Sequence, residues 1–338
     1  MNPVISLAHG SGGKAMQQLL ESLFLPAFAN PQLEQREDQA RIALASLMRQ
    51  GDRLAFTTDS YVIDPLFFPG GDIGKLAVCG TANDLAVSGA TPRYLSCGFI
   101  LEEGLPLAEL TRVVESMAAT AREAGIQIVT GDTKVVQRGA ADKLFINTAG
   151  IGVIPQNIEW SAQRIQADDA IIVSGTLGDH GATILNLREQ LGMAMDITSD
   201  CAVLTPLIAP LRAIDGVHAL RDATRGGVNA ILHEYAAACG FGIDIDEQCL
   251  PVKPAVRGVC ELLGLDAINF ANEGKLVLAV AQAAVPAVLA ALQGHPLGAD
   301  AAVIGRVTDG AAQVRLRGAY GISRLLDLPH AEPLPRIC

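Results

Sequence analysis

Five aspartates carry most of the chemistry that this sequence offers. Asp38 follows Glu37 in a polar stretch before Ile42-Ala43-Leu44. Asp59 stands between Thr58 and Ser60, where an apolar run gives out. Asp84 follows Asn83 among Cys79, Ala82, Ala86 and Val87. Asp132 lies in Gly131-Asp132-Thr133-Lys134, and Asp222 opens Asp222-Ala223-Thr224-Arg225-Gly226-Gly227. Taken singly, each reads equally well as a turn former or an ion-paired acid. A carboxylate among small apolar residues, as at Asp84, is costly unless it is paired or binds a cation. Carboxylate oxygens suit Mg²⁺, which is usually shared between a few acids and phosphate oxygens. The five together, on a glycine-rich backbone, predict a Mg²⁺ and nucleotide site.

Groups that would meet the phosphates are also present. His9-Gly10-Ser11-Gly12-Gly13-Lys14 lacks the spacing of a P-loop. Gly12 and Gly13 can still bring backbone N–H groups to a phosphate, with Lys14 adding charge. Asn83 and Thr133 are expected to contact the nucleotide, and Lys134 supplies an amine beside Asp132. Gly178-Asp179-His180-Gly181 opens a helix after a strand. Tight packing explains its glycines as well as phosphate binding does, and His180 reads as a helix-start polar residue. Glu273, in Asn272-Glu273-Gly274-Lys275, is either a base or a surface acid paired with Lys275.

The sequence finishes Pro333-Leu334-Pro335-Arg336-Ile337-Cys338. Pro329, Pro333 and Pro335 oppose regular structure. Ten residues from Pro329 span about 33 Å when extended, enough to carry a sulfur between sites. A thiol at such a tip is expected to lack packing neighbours.

These groups need positioning elements. Arg53 to Ile63 reads as a strand ending near Asp59. Gly71 to Gly89 reads as a loop and a helix, with Asn83 and Asp84 on its later turn. Pro92 to Ile100 is a strand, Pro106 to Gly125 an amphipathic helix with Leu110, Val113, Val114 and Met117 inward. Ile126 to Thr130 is a strand that ends in the Asp132 turn. Leu144 to Ile154 is another strand, and 155–164 reads as a link. The second half repeats the theme: strands at Ala170, Phe241, Leu276, Val303 and Ala312, and helices from Ala182 to Leu191 and Val228 to Cys239. The expectation is an α/β (α+β) chain of two α/β domains, 1–155 and 160–320, followed by a mobile tail, 321–338.

Composition bounds the rest. The chain has 338 residues, half of them hydrophobic and only 4% aromatic, with a net charge of -11. That charge argues against nucleic acid as a partner. Seven cysteines form no C-x-x-C pair, so neither a zinc signature nor a disulfide framework is expected. Cys79, Cys97, Cys239 and Cys260 read as core residues. Leu276 to Leu292 is interrupted by Gln282 and Pro286 and reads as strand, turn and helix, so no membrane span is expected. With no signal peptide evident, the expected compartment is the cytoplasm.

The run Thr58-Asp59-Ser60, Asn83-Asp84, Gly131-Asp132-Thr133 and Asp222-Ala223-Thr224-Arg225-Gly226-Gly227 resembles the superfamily of aminoimidazole ribonucleotide synthetase and selenophosphate synthetase. The opening His9 to Lys14 and the ending Pro335-Arg336-Ile337-Cys338 resemble its HypE family of hydrogenase maturation factors. Gln39 departs from the fuller acidic run that relatives often have after Glu37-Asp38.

The resemblance covers nearly the whole chain. It implies ATP and Mg²⁺ as cofactors and homodimerisation through the N-terminal domain. It also implies that Cys338 carries a carbamoyl group, supplied by a HypF-type carbamoyltransferase and dehydrated to a thiocyanate. The cyano group would then pass to iron on a HypC–HypD complex. Glu273 is implied as the catalytic base, with Lys134 as its helper. Two rivals stay open: an ATP-dependent synthetase acting on a free small molecule, and a thiol carrier without catalysis.

Overall fold

The computed structural model describes residues 3–189, 196–329 and 336–338. After helix α1 (Lys14–Leu19), the first domain is built on strands β1 (Arg53–Tyr61), β2 (Thr91–Glu102), β3 (Gln127–Val136) and β4 (Leu144–Ile154). They form a four-stranded sheet in the order β1-β4-β2-β3. Helices α2 (Ile73–Val87) and α3 (Leu107–Ala124) cover one of its faces. α3 is the crossover between the parallel strands β2 and β3. Its Leu110, Val113, Val114 and Met117 are buried as the 3.6-residue period requires. Gly125 at φ 67° ends it in the left-handed conformation.

Strand alternation decides where the acids point. Thr57 and Tyr61 face α2: Thr57 Oγ1 donates to Asp84 Oδ2 at 3.1 Å, and the Tyr61 hydroxyl meets Thr81 Oγ1 at 3.2 Å. Asp59 lies between them in register and shares that inner face. Thr58 and Ser60 take the outer face with Asn147, whose Nδ2 donates to Ser60 Oγ at 2.9 Å. Leu54, Phe56 and Ile100 also point outward and stay exposed, Phe56 at 72%.

The strand expected to stop at Thr130 runs on to Val136. Gly131 is no turn residue. A Cβ there would lie 2.4 Å from the Cys97 carbonyl oxygen, so glycine is needed for β2 and β3 to pair. Asp132 and Lys134 are therefore mid-strand rather than at a strand end. Likewise Asp59 is inside β1.

The second domain carries a seven-stranded sheet of β5 (Ala170–Val173), β6 (Val217–Asp222), β7 (Gly242–Asp246), β8 (Leu276–Val280), β9 (Ala302–Thr308), β10 (Val314–Arg317) and β11 (Ser323–Leu325). Their order is β11-β10-β7-β9-β5-β8-β6. Helices α4 (Asp179–Arg188), α5 (Gly227–Cys239), α6 (Pro254–Leu263) and α7 (Val285–Gln293) pack on it. The helix expected to reach Leu191 is seen to Arg188; 190 and 191 lie outside the described residues. β8 is buried along its length and pairs Leu276 with Asp222. That pairing brings the end of β6 against the 272–275 segment. Asn272 fixes the junction: Nδ2 donates to the carbonyls of Ala223 and Phe270, each at 3.0 Å, and Oδ1 accepts from Gly178 N at 2.8 Å. Gly227, at φ 60°, leaves no room for a Cβ, which would meet the Ile268 carbonyl oxygen at 2.5 Å.

The domains share apolar cores. One joins α2 and α3 to Ala182, Ile184 and Val256 of the second domain. Another packs Ala86 and Val87 of α2 against Leu204 and Leu276. α2 is thus held between the two sheets. Within the segment 321–338 assigned to the tail, β11 adds an edge strand beside β10. Pro333 and Pro335 lie outside the described residues. Ile337 and Cys338 belong to the first core. Among the described residues, no helix is long and apolar enough to cross a membrane.

Candidate active site

Four of the predicted acids meet at the domain boundary. Asp59 comes from β1, Asp84 from α2, Asp222 from the end of β6 and Glu273 from the segment before β8. Burial and neighbouring charge raise the carboxyls of Asp84, Asp222 and Glu273. Burial, then the charge of Asp84, pushes the Asp222 carboxyl up to about 7. Burial raises Asp84 too, and Asp59 adds to the effect. Glu273 is held well above the ordinary carboxyl range, first by burial and then by Cys201, Asp200, Asp222 and Asp59. Its Oε1 is buried with no hydrogen-bond partner. The phenol of Tyr61 is pushed up mainly by burial, with Asp59, Glu273 and Asp84 contributing.

Glu273 is not a surface acid paired with Lys275. It is 3% exposed, and Lys275 Nζ lies 3.4 Å from Asp200 Oδ2 instead. Asp200 also accepts from the Glu273 amide, through Oδ1 at 3.0 Å. It is the residue that sequence reasoning missed. Nothing in Thr198-Ser199-Asp200-Cys201 distinguishes it, because its partners are more than seventy positions away. The same segment lines a cleft of about 600 Å³ with Lys75, Thr176, Asp179 and Lys275. The Cys201 thiol is pushed up by a hydrogen bond with Cys79 and by burial.

Asn83 serves the frame of the site. Its Nδ2 donates to the Ala202 carbonyl at 3.0 Å and its Oδ1 accepts from Leu204 N at 2.8 Å. Through these two bonds the amide pins the 202–204 segment to α2. Thr133 is 5% exposed and points inward under the helices.

The remaining predicted residues gather elsewhere on the same chain. Asp132 and Lys134 lie on the outer face of β3, ion-paired at 2.7 Å with both side chains exposed. Lysine is the first cause of the lowered carboxyl of Asp132. Asp38 and Asp132 line one cleft of about 680 Å³ along the β3 edge, with Gln17 of α1 and Arg36. Gly12 and Gly13 are exposed at the start of α1, and Lys14 begins that helix. Gly10 is pressed against Val135 of β3, which sets this loop beside the same edge. The sheet therefore separates the predicted set into an inner group and an outer one. Within one protomer Lys134 does not share a face with Glu273.

Residues 336–338 pack at the end of β1, against Val62, and against His180 of the second domain. Sequence reasoning expects its thiol to lack neighbours, yet Cys338 is 8% exposed and Ile337 1%. Val62 N donates to the main-chain oxygen of Cys338 at 3.0 Å, one residue beyond Tyr61. Arg336 Nε donates to the Val62 carbonyl at 3.0 Å, and its Nη1 to Asp142 Oδ2 at 2.6 Å. His180 Nε2 lies 2.7 Å from the Ile337 carbonyl oxygen.

Clustered acids with raised carboxyls and an unpartnered oxygen fit a cation that would relieve their mutual repulsion. Among the described residues, no three His, Cys, Asp or Glu side chains converge tightly enough to hold a metal alone. The fit is to Mg²⁺ arriving with phosphate oxygens and water rather than to a resident all-protein site.

The chain is similar to known proteins over nearly its whole length. Residues 36–154 match the N-terminal domain of AIR synthase related proteins, and residues 166–316 match their C-terminal domain. The chain is 74% identical over 334 residues to carbamoyl dehydratase HypE of Escherichia coli strain K12, covering 99% of both chains. It also superposes on a hydrogenase maturation protein HypE solved in complex with ATP, with TM-score 0.92 and 48% identity, covering 98% of this chain and 99% of that one. A HypE–HypF complex gives TM-score 0.80 at 43% identity, covering 92% and 99%.

Proposed function

Since the chain belongs to the carbamoyl dehydratase HypE family, within the AIR synthase related proteins, we propose that it dehydrates a carbamoyl group carried on Cys338 to a thiocyanate, with hydrolysis of ATP. The observation that carries this reading is the seat of Cys338, buried beside the end of β1 that holds Asp59 and Tyr61. The thiocarboxamide –S–C(=O)–NH₂ must lose an oxygen that is a poor leaving group. When bound, Mg²⁺ and ATP supply the phosphoryl group that makes it a good one. The carbonyl oxygen takes that group and one N–H proton leaves. The second N–H proton then leaves with phosphate, giving –S–C≡N, ADP, phosphate and a proton.

Asp59, Asp84 and Asp222 are proposed to hold Mg²⁺ together with the phosphates. Glu273 is proposed as the base. Burial first, and then its acidic neighbours, hold its carboxyl well above the ordinary range, and positive charge entering the site would favour the ionised form that can accept a proton. The binding state and the basic state of Glu273 are thereby linked. Asp200 holds the Glu273 backbone in place.

Asp38, Asp132 and Lys134, with Gly12, Gly13 and Lys14, are proposed to serve the inner group of a partner copy. The exposed Leu54, Phe56 and Ile100 on the outer sheet face support a homodimer through the N-terminal domain. Carbamoyl transfer is proposed to come from a HypF-type carbamoyltransferase, as the HypE–HypF complex suggests. Delivery of the cyano group to a HypC–HypD complex in the cytoplasm completes the proposal.

Intact mass tests it. The chain is incubated with ATP, Mg²⁺, carbamoyl phosphate and the HypF-type partner, beside Cys338→Ala. Gain of one carbamoyl group at Cys338, followed by loss of one water only with ATP, is expected. An unmodified chain that still hydrolyses ATP would favour a synthetase with a free substrate.

A further inference from the structure

His180 stands in the first turn of α4 and is fully buried. Sequence reasoning gave it no task beyond a helix start. Its two ring nitrogens are both engaged. Nδ1 lies 2.7 Å from Ser199 Oγ, and Nε2 lies 2.7 Å from the Ile337 carbonyl oxygen. A carbonyl only accepts, so Nε2 must carry the proton and Nδ1 must accept from the Ser199 hydroxyl. Ser199 is itself held, because its Oγ accepts from Cys201 N at 3.1 Å and its amide donates to the Pro69 carbonyl at 2.9 Å. The Phe68 ring packs edge-on to the imidazole, 5.5 Å between centroids at 81°. Burial lowers the imidazole pKa, which matches the neutral tautomer that these partners demand.

We propose that His180 is a positioning residue for the carrier tail: oriented by Ser199, its Nε2–H grips the Ile337 carbonyl and keeps Cys338 docked at the end of β1, next to Val62. The other anchors of the tail differ in kind. The Arg336–Asp142 pair is more than a third exposed on both sides, and exposed pairs contribute little. The Val62 amide belongs to the first domain. His180 contributes a buried hydrogen bond from the second domain, so it ties the tip across the domain boundary. Its loss leaves a buried carbonyl unsatisfied, the costly outcome for a hydrogen bond. This inference gives the proposed carrier reaction its docking device and rests on that reading for its purpose. The docking itself is measurable without the reaction.

The test is the alkylation rate of Cys338 by iodoacetamide in the full-length chain without ATP, read by mass on the C-terminal peptide so that exposed Cys249 does not interfere. A buried thiol reacts in proportion to the undocked fraction. His180→Leu keeps an apolar side chain of similar volume but has no donor, and is expected to react about tenfold faster. His180→Gln places an amide N–H near the reach of Nε2 and is expected to stay within about threefold of the wild type. Ser199→Ala frees the ring and is expected to fall between them. A His180→Leu rate within about twofold of wild type overturns the proposal, as does equal loss of protection in the Leu and Gln variants. If His180→Leu does not fold by circular dichroism, an unchanged rate in Ser199→Ala overturns it. A second arm follows water loss from the carbamoylated tail, which His180→Leu should slow and His180→Gln should restore. Absence of water loss in the wild type would strike the proposed function and leave the docking result standing.

Discussion

Asp84, on a late turn of α2, and Asp222, at the end of β6, face each other across the domain boundary closely enough that the charge of one holds up the carboxyl of the other. Burial is the larger cause, and Asp222 ends at about 7 against 3.8 for an ordinary aspartate. Between those pH values the folded chain keeps a proton that the unfolded chain has lost. Stability is therefore highest below the unfolded value and falls as pH rises towards 7, where the loss is complete. Roughly three pH units at about 1.4 kcal/mol each set a ceiling of about 4 kcal/mol for this one group. Melting temperatures at pH 5 and pH 8, without divalent cations, should show the fall, and Asp222→Asn should shrink it. An undiminished fall in that variant would mean that Asp222 is not the group responsible.

Adding Mg²⁺ and ATP should reverse the same effect. A cation among ionised carboxylates removes their repulsion, so ligand should raise the melting temperature more at pH 8 than at pH 5. Equal shifts at both pH values would argue that the inner acids do not take part in binding.

Much of this was legible in the residues themselves. Leu110, Val113, Val114 and Met117 announced the buried face of α3, and Asp84 among small apolar neighbours announced a half-buried acid. Gly131 misled because a glycine before an aspartate looks like a turn. Its real cause, the approach of the Cys97 carbonyl on the neighbouring strand, exists only after β2 and β3 pair. The face on which Asp132 and Lys134 sit follows from that same register. The structural role of Asn83 was hidden because its partners, Ala202 and Leu204, lie far along the chain. Asp200 was invisible for the same reason, and His180 read only as a helix-start residue because its partner Ile337 lies far along the chain. Local composition reveals which residues are unusual, while long-range pairing decides what they touch.

Asn83 makes a direct test of that distinction. Asn83→Ala strips both ends of a buried amide from the 202–204 segment, leaving the Ala202 carbonyl and the Leu204 amide without it. The expected cost is about 2 to 3 kcal/mol in urea unfolding. A cost within about 0.5 kcal/mol would show that the segment holds its place by apolar packing alone.

Glu273→Gln should separate loading from dehydration. The carboxyl is held well above its ordinary range in the folded chain, and the amide keeps almost the same shape. Stability should change little, and Cys338 should still gain its carbamoyl group. Water loss should slow by about a hundredfold or more, the usual share of a general base. Accumulation of the carbamoylated chain, followed by intact mass, is the readout. Dehydration at the wild-type rate would remove Glu273 from the mechanism.

The separation of Lys134 from Glu273 by the sheet gives the sharpest test of how a site is assembled. If each inner group is completed by the outer group of a partner copy, Lys134→Ala and Glu273→Gln are each inactive alone for different reasons. In a mixed dimer, the Lys134→Ala subunit still offers Glu273, and the Glu273→Gln subunit still offers Lys134. One of the two sites is then whole. Random remixing makes half of the dimers mixed, so roughly a quarter of wild-type dehydration activity should return under two-fold symmetry. If Lys134 serves its own chain, every site in the mixture lacks one of the pair and no activity returns. Phe56→Asp, placed on the exposed outer face, should abolish the recovery by keeping the chains apart, with sedimentation velocity reporting monomers. Recovery that survives Phe56→Asp would place the meeting surface elsewhere.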